Sequence, residues 1–142
     1  MSIDLTSCRT QLSQRLQDTS NLIYSTGTLD ESLRSALADL SASYGSAQTL
    51  DGLDGETSTT FSSLDLHTFL VGGVAYSLRS RFTGKLDEPN PSREKPGALA
   101  DQAASVMKEF QSLLHHIRVR RFQETTDHPY SLWDWDEGDD FS

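Results

Sequence analysis

Apolar residues recur at helical spacing in four separate segments. Over residues 4–17, Leu5, Cys8, Leu12 and Leu16 fall at steps of three and four, with Arg9, Gln11, Gln14 and Arg15 outside the stripe. That spacing predicts a first helix. A second begins at Thr28, where Leu29, Leu33, Ala36, Leu37, Leu40 and Tyr44 make one face. Thr28 and Glu31 have the spacing of a capping box, and Gly45 is the expected stop. Residues 64–82 predict a third helix carrying Leu66, Phe69, Leu70, Val74, Leu78 and Phe82. Gly72-Gly73 in its middle costs roughly 1 kcal/mol per glycine relative to alanine, which calls for the close approach of another helix in return. After Pro96-Gly97, residues 98–122 place Leu99, Ala103, Val106, Phe110, Leu113 and Ile117 on a heptad-like seam. A helix of that length is roughly 36 Å long.

The connections are polar. Residues 18–27 carry one apolar insert, Leu22-Ile23-Tyr24, expected to pack down onto the helices. Residues 46–62 are rich in Thr around DGLDGE, and two Asp-Gly steps suit tight turns, so a small two-stranded hairpin is expected there. Such a hairpin is marginal alone and must pack on the helices or pair with a neighbouring subunit. Residues 83–97 contain three prolines and read as a mobile polar loop. The fold class expected is mainly α: a four-helix bundle-like subunit over residues 1–123, with a β-hairpin insertion and an extended acidic arm over 124–142.

Charge separates body from arm. Residues 124–142 hold seven acids (Glu124, Asp127, Asp134, Asp136, Glu137, Asp139 and Asp140) and no Lys or Arg. Of 21 acids and 12 bases in the chain, 14 acids and all 12 bases fall on residues 1–123, a net of −2 there against −9 overall. The arm also carries Tyr130, Trp133, Trp135 and Phe141, whereas disordered acidic tails are poor in aromatics. Trp133 and Trp135 alternate with Asp134 and Asp136, so an extended backbone would put both indoles on one face and both carboxylates on the other. That arrangement fits a groove with a basic rim on a partner. Arg118, Arg120 and Arg121 close the fourth helix. They complement its dipole as a solvated helix end, or meet an acidic surface on another subunit or partner.

Candidate chemistry is sparse. His115 and His116 are adjacent on a helix and point about 100° apart, so they cannot chelate one ion together. DGLDGE departs from a calcium loop because Leu53 and Gly55 stand where acids are needed. No nucleophile elbow, phosphate-binding glycine loop or paired Cys and His is present, so neither an enzyme nor a cofactor is expected. The lone Cys8 excludes an intramolecular disulfide and fits a reducing compartment. The amino terminus shows no signal peptide and no segment suits a membrane span, so a protein of the cytoplasm is expected. An acidic balance argues against a general phosphate-binding surface.

The order of elements resembles the head–tail connector (adaptor, or head-completion) proteins of tailed bacteriophages. The resemblance lies in QRLQDTSNLIYSTGTLDESLRSALADLS, the Thr-rich segment after it, the apolar helix HTFLVGGVAYSLRSRF and a long final helix, about residues 4–122. Its most specific part is Leu16–Leu40. It implies a mostly helical structural virion protein without catalytic residues, forming a ring, commonly of twelve copies, beneath the portal protein. Such a ring extends the channel for genome ejection and offers a platform to a stopper or tail-completion protein, while DNA passes without specific binding. The competing expectation is a soluble acidic regulator whose arm mimics nucleic acid to inhibit a DNA-handling enzyme.

Overall fold

The computed structural model describes residues 3–86 and 96–125. The expected loop over 83–97 therefore falls largely outside the described residues, as do the arm positions Tyr130, Trp133, Asp134, Trp135, Asp136 and Phe141.

Among the described residues four helices form: α1 (Leu5–Arg15), α2 (Thr26–Tyr44), α3 (Leu66–Leu86) and α4 (Pro96–Thr125). Asp4 starts α1 by accepting the Ser7 N–H at 2.8 Å, and Leu5, Cys8 and Leu12 turn inward as the stripe predicts. The start of α2 differs from expectation. Ser25, not Thr28, is the cap, accepting the Thr28 N–H at 3.2 Å. Tyr24 just before it is buried, which fixes where the chain turns into the helix. Glu31 pairs with Arg34 instead of closing a capping box. Gly45 ends α2 in the left-handed region at φ +79°, as anticipated.

α3 is the central helix, packed against both α2 and α4, with α1 against α2 and α3. Phe69, Leu70, Val71, Ala75 and Leu78 are buried along it. The adjacent glycines admit their neighbours at close range: a Cβ on Gly72 would lie 2.9 Å from Ala36 Cβ, and one on Gly73 would lie 3.2 Å from methyls of Leu12 and Leu33. In α4 the buried positions are Leu99, Ala103, Phe110, Leu114 and Ile117, so Leu114 takes the place expected of Leu113. Leu99 and Ile117 are five turns of an ordinary 3.6-residue helix apart, and the stripe follows that period, not a strict heptad.

Residues 46–62 form no paired strands. Leu50, expected at the end of a strand, and Leu53, expected in the solvent-facing turn, are both buried, so the turn itself is drawn into the core. The segment instead reverses through left-handed residues Gly52, Asp54 and Gly55. Threonine hydroxyls occupy places that a ladder would give to backbone: Thr60 Oγ1 accepts the Thr49 N–H and Thr59 Oγ1 accepts the Asp51 N–H, each at 2.9 Å. Thr59 Oγ1 also donates to the Ile3 carbonyl at 2.6 Å, and Leu5 N–H donates to Asp51 O at 2.8 Å, pinning the reversal to the start of α1. Phe61 then enters the core against Phe69, ring centroids 5.0 Å apart.

Among the described residues, no helix is long and apolar enough to cross a membrane.

Candidate docking surface

At the carboxy-terminal end of α4, residues 117, 120, 121 and 124 recur on the face turned toward the end of α2 and the 3₁₀ turn Ser63–Asp65. The three arginines of this end divide. Arg120 forks onto Asp65, Nη2 to Oδ2 at 2.8 Å and Nη1 to Oδ1 at 3.1 Å. Asp65 is 2% exposed and also accepts the Tyr44 hydroxyl proton. Burial pushes the Asp65 carboxyl up, but the bonds from Arg120 and Tyr44 outweigh it and hold the group below the usual carboxylate range. Asp65 precedes α3, where negative charge also suits the helix dipole. Arg120 thus ties α4 to α3 and is engaged internally.

Arg121 and Arg118 are different. Arg121 lies over Gly45, where any Cβ would run into its guanidinium. Its Nη1 is enclosed and has no hydrogen-bond partner among the described residues. Arg118 is exposed and makes no ion pair there. Beside Arg121 opens a cleft of about 270 Å³ lined by Tyr44, Ser62, Leu64, Ile117, Arg120 and Glu124. Leu64 is 80% exposed at this cleft.

A second apolar surface lies at the other end of α2. The Asp18 carboxylate accepts three backbone N–H groups, from Leu22 and Ile23 at 3.0 Å and from Tyr24 at 2.8 Å. The Tyr24 bond and its two companions hold that carboxyl below its ordinary range despite burial. The loop so organised sends Tyr24 inward but leaves Leu22 87% and Ile23 53% exposed. The insert therefore does not pack down as a unit. Satisfying backbone donors with one buried acid is the device that holds two apolar side chains in water. Sequence reasoning missed it, although the Asx-type signal of an Asp a few residues ahead of the insert was present.

Among the described residues the histidines are not gathered. His115 and His116 are exposed with ring centroids 6.4 Å apart, and His67 Nδ1 lies 3.2 Å from Arg15 Nη2. Among the described residues no group of three or more His, Cys, Asp or Glu side chains could hold a metal ion. Cys8 is fully buried, and burial, aided by Asp4, pushes its thiol up to about 12. A cleft of about 640 Å³ between α2 and α3 is lined by hydroxyls, among them Ser25, Thr28, Ser32, Ser35 and Ser80, together with Arg79 and Glu31.

No family model matches the chain, and neither a curated protein nor a solved structure matches it.

Proposed function

We propose that this chain is a head–tail adaptor of a tailed bacteriophage, a structural virion protein that closes into a ring beneath the portal. The ring extends the DNA channel and offers a platform to a stopper or tail-completion protein. Its place is the virion's head–tail interface, after assembly in the host cytoplasm. The observation that carries the reading is the division of the chain. The four helices of the described residues end at Thr125, in a body with 15 acids and all 12 bases, while six acids, both tryptophans and no Lys or Arg fall on residues 126–142. A body that associates and an arm that fastens are what a collar on another protein needs.

Two features of the body support ring closure. A head-to-tail interface uses two different patches on each copy, and rings form when the rotation between copies closes. Leu22 and Ile23 stand at one end of α2 and Leu64 at the other, roughly 28 Å apart along a 19-residue helix. The body carries no basic surplus, so a channel through it offers DNA phosphates no counter-charge and the genome passes without adhering. Many arms acting together raise the strength of attachment beyond that of one arm.

The arm's role is tested by deleting residues 124–142 and measuring co-assembly with portal particles of the same virus. Loss of attachment with the helical signal retained supports the reading; unchanged attachment removes the arm from it.

A further inference from the structure

The cleft beside Arg121 has a property that ring and portal contacts do not account for. A guanidinium nitrogen is enclosed there with no acceptor among the described residues. Arg121 as a whole is only partly buried, but an enclosed guanidinium nitrogen with no acceptor carries the cost of an unmade hydrogen bond, so such a site favours an anion that brings acceptors with it. The negative end of the α2 dipole, at Gly45, offsets part of that cost but supplies no hydrogen bond in the structure. The same cleft offers apolar surface, from exposed Leu64 and buried Ile117, and a second cation nearby on the helix, Arg118. It is built for a carboxylate flanked by a large apolar group.

The chain carries that chemistry close by. Glu124 lines the cleft and α4 ends at Thr125, so the seventeen residues that follow start at the rim. They contain Trp133-Asp134-Trp135-Asp136. Trp133 is eight steps along the chain from Thr125, a reach of up to roughly 28 Å, ample to return to a site one turn before the helix end. Tethering at that distance gives an effective concentration in the millimolar range, so even a weak carboxylate–guanidinium contact is occupied.

We propose that this cleft is the intramolecular seat of the chain's own segment Trp133–Asp136, with an aspartate on the Arg121 guanidinium and an indole against Leu64 and Ile117. A partner with a better groove and a basic rim then takes the arm by competition, and the free subunit keeps its indoles covered until it meets one. The inference extends the docking-arm reading, but its test needs no partner protein, so each can fail without the other.

Trp133 and Trp135 are the only tryptophans, so the intrinsic fluorescence of the full chain reports this segment alone. The expected result is emission to the blue of a solvated indole and slow acrylamide quenching, both independent of protein concentration. Arg121→Gln, and separately Asp134→Asn with Asp136→Asn, should move the emission to the red and raise the quenching constant several-fold with unchanged far-ultraviolet circular dichroism. The second variant leaves the body untouched, so a folding defect in the first does not blur the outcome. Solvated emission in the full chain, or unchanged emission in the Asn variant, overturns the proposal. A blue shift that disappears on dilution as the protein dissociates also overturns it, because the seat would then be on a neighbouring copy.

Discussion

The ring of Phe110 occupies the space where a side chain on residue 72 would begin: a Cβ on Gly72 would lie 2.6 Å from both Cε1 and Cζ of that ring. α3 and α4 meet at this point, and Phe110 is fully buried in it. Alanine would recover about 1 kcal/mol of helix propensity, while overpacking a filled site costs about 1–3 kcal/mol and the ring cannot retreat past Tyr76, whose ring stands edge-on to it. Gly72→Ala should therefore destabilise by about 2 kcal/mol in urea unfolding. Gly73→Ala meets only leucine methyls that can shift, and its effect should stay within about 1 kcal/mol of zero. Equal effects of the two changes would contradict this account of the helix crossing.

Removing Arg120 should strand a buried carboxylate. Asp65 keeps the Tyr44 bond and Arg120 is partly solvated, so Arg120→Met should cost about 3 kcal/mol, the low end for breaking a buried pair. A chemical melt that shows less than about 1 kcal/mol would reduce the pair to a surface contact.

The same carboxylate gives a pH dependence. Its folded-state pKa is lowered, so its contribution is fully present above the unfolded value, about 3.9, and fades as pH falls through the folded value. Thermal melts of the native chain should lose stability below about pH 4. Asp65→Asn, starting from a lower stability, should show a shallower acid limb. Parallel limbs in the two proteins would assign the acid transition to other groups.

Much of the fold was legible because helices announce themselves by period. The stripes of α1 and α2 turned inward as read, and Gly72-Gly73 signalled a close approach before any partner was known. What failed did so for identifiable reasons. Ser25 and Thr28 are comparable caps in isolation, and the burial of Tyr24 decided between them. Leu50 looked like the end of a strand and Leu53 like part of its turn until the core required both. Leu113 fitted a heptad, but an unsupercoiled helix brings Leu114 round. Arg120 finds Asp65 across 55 residues, a meeting that only the packed helices create, so the basic cluster read as one surface feature when its members have different jobs.

Cys8 should behave as a core residue. With its thiol pushed up to about 12, it should resist a disulfide-exchange reagent at pH 8 and react at once in denaturant. Rapid labelling of the native protein would mean that α1 opens readily.

The Leu22–Ile23 tip should matter for association and little for folding. Leu22→Asp with Ile23→Asp should leave the circular dichroism unchanged and lower the oligomeric mass. Asp18→Ala should speed amide exchange at residues 22–24, since their three bonds converge on one side chain. An unchanged mass would remove this tip from the subunit interface.

The claim beneath all of this is that copies of the helical body close around an opening and hold to a portal. Sedimentation velocity of the full chain, alone and mixed with portal particles, measures it directly. The account predicts a closed oligomer of many copies, either free or formed on the portal. A protein that sediments as a monomer at every concentration and leaves the portal boundary unchanged would contradict it.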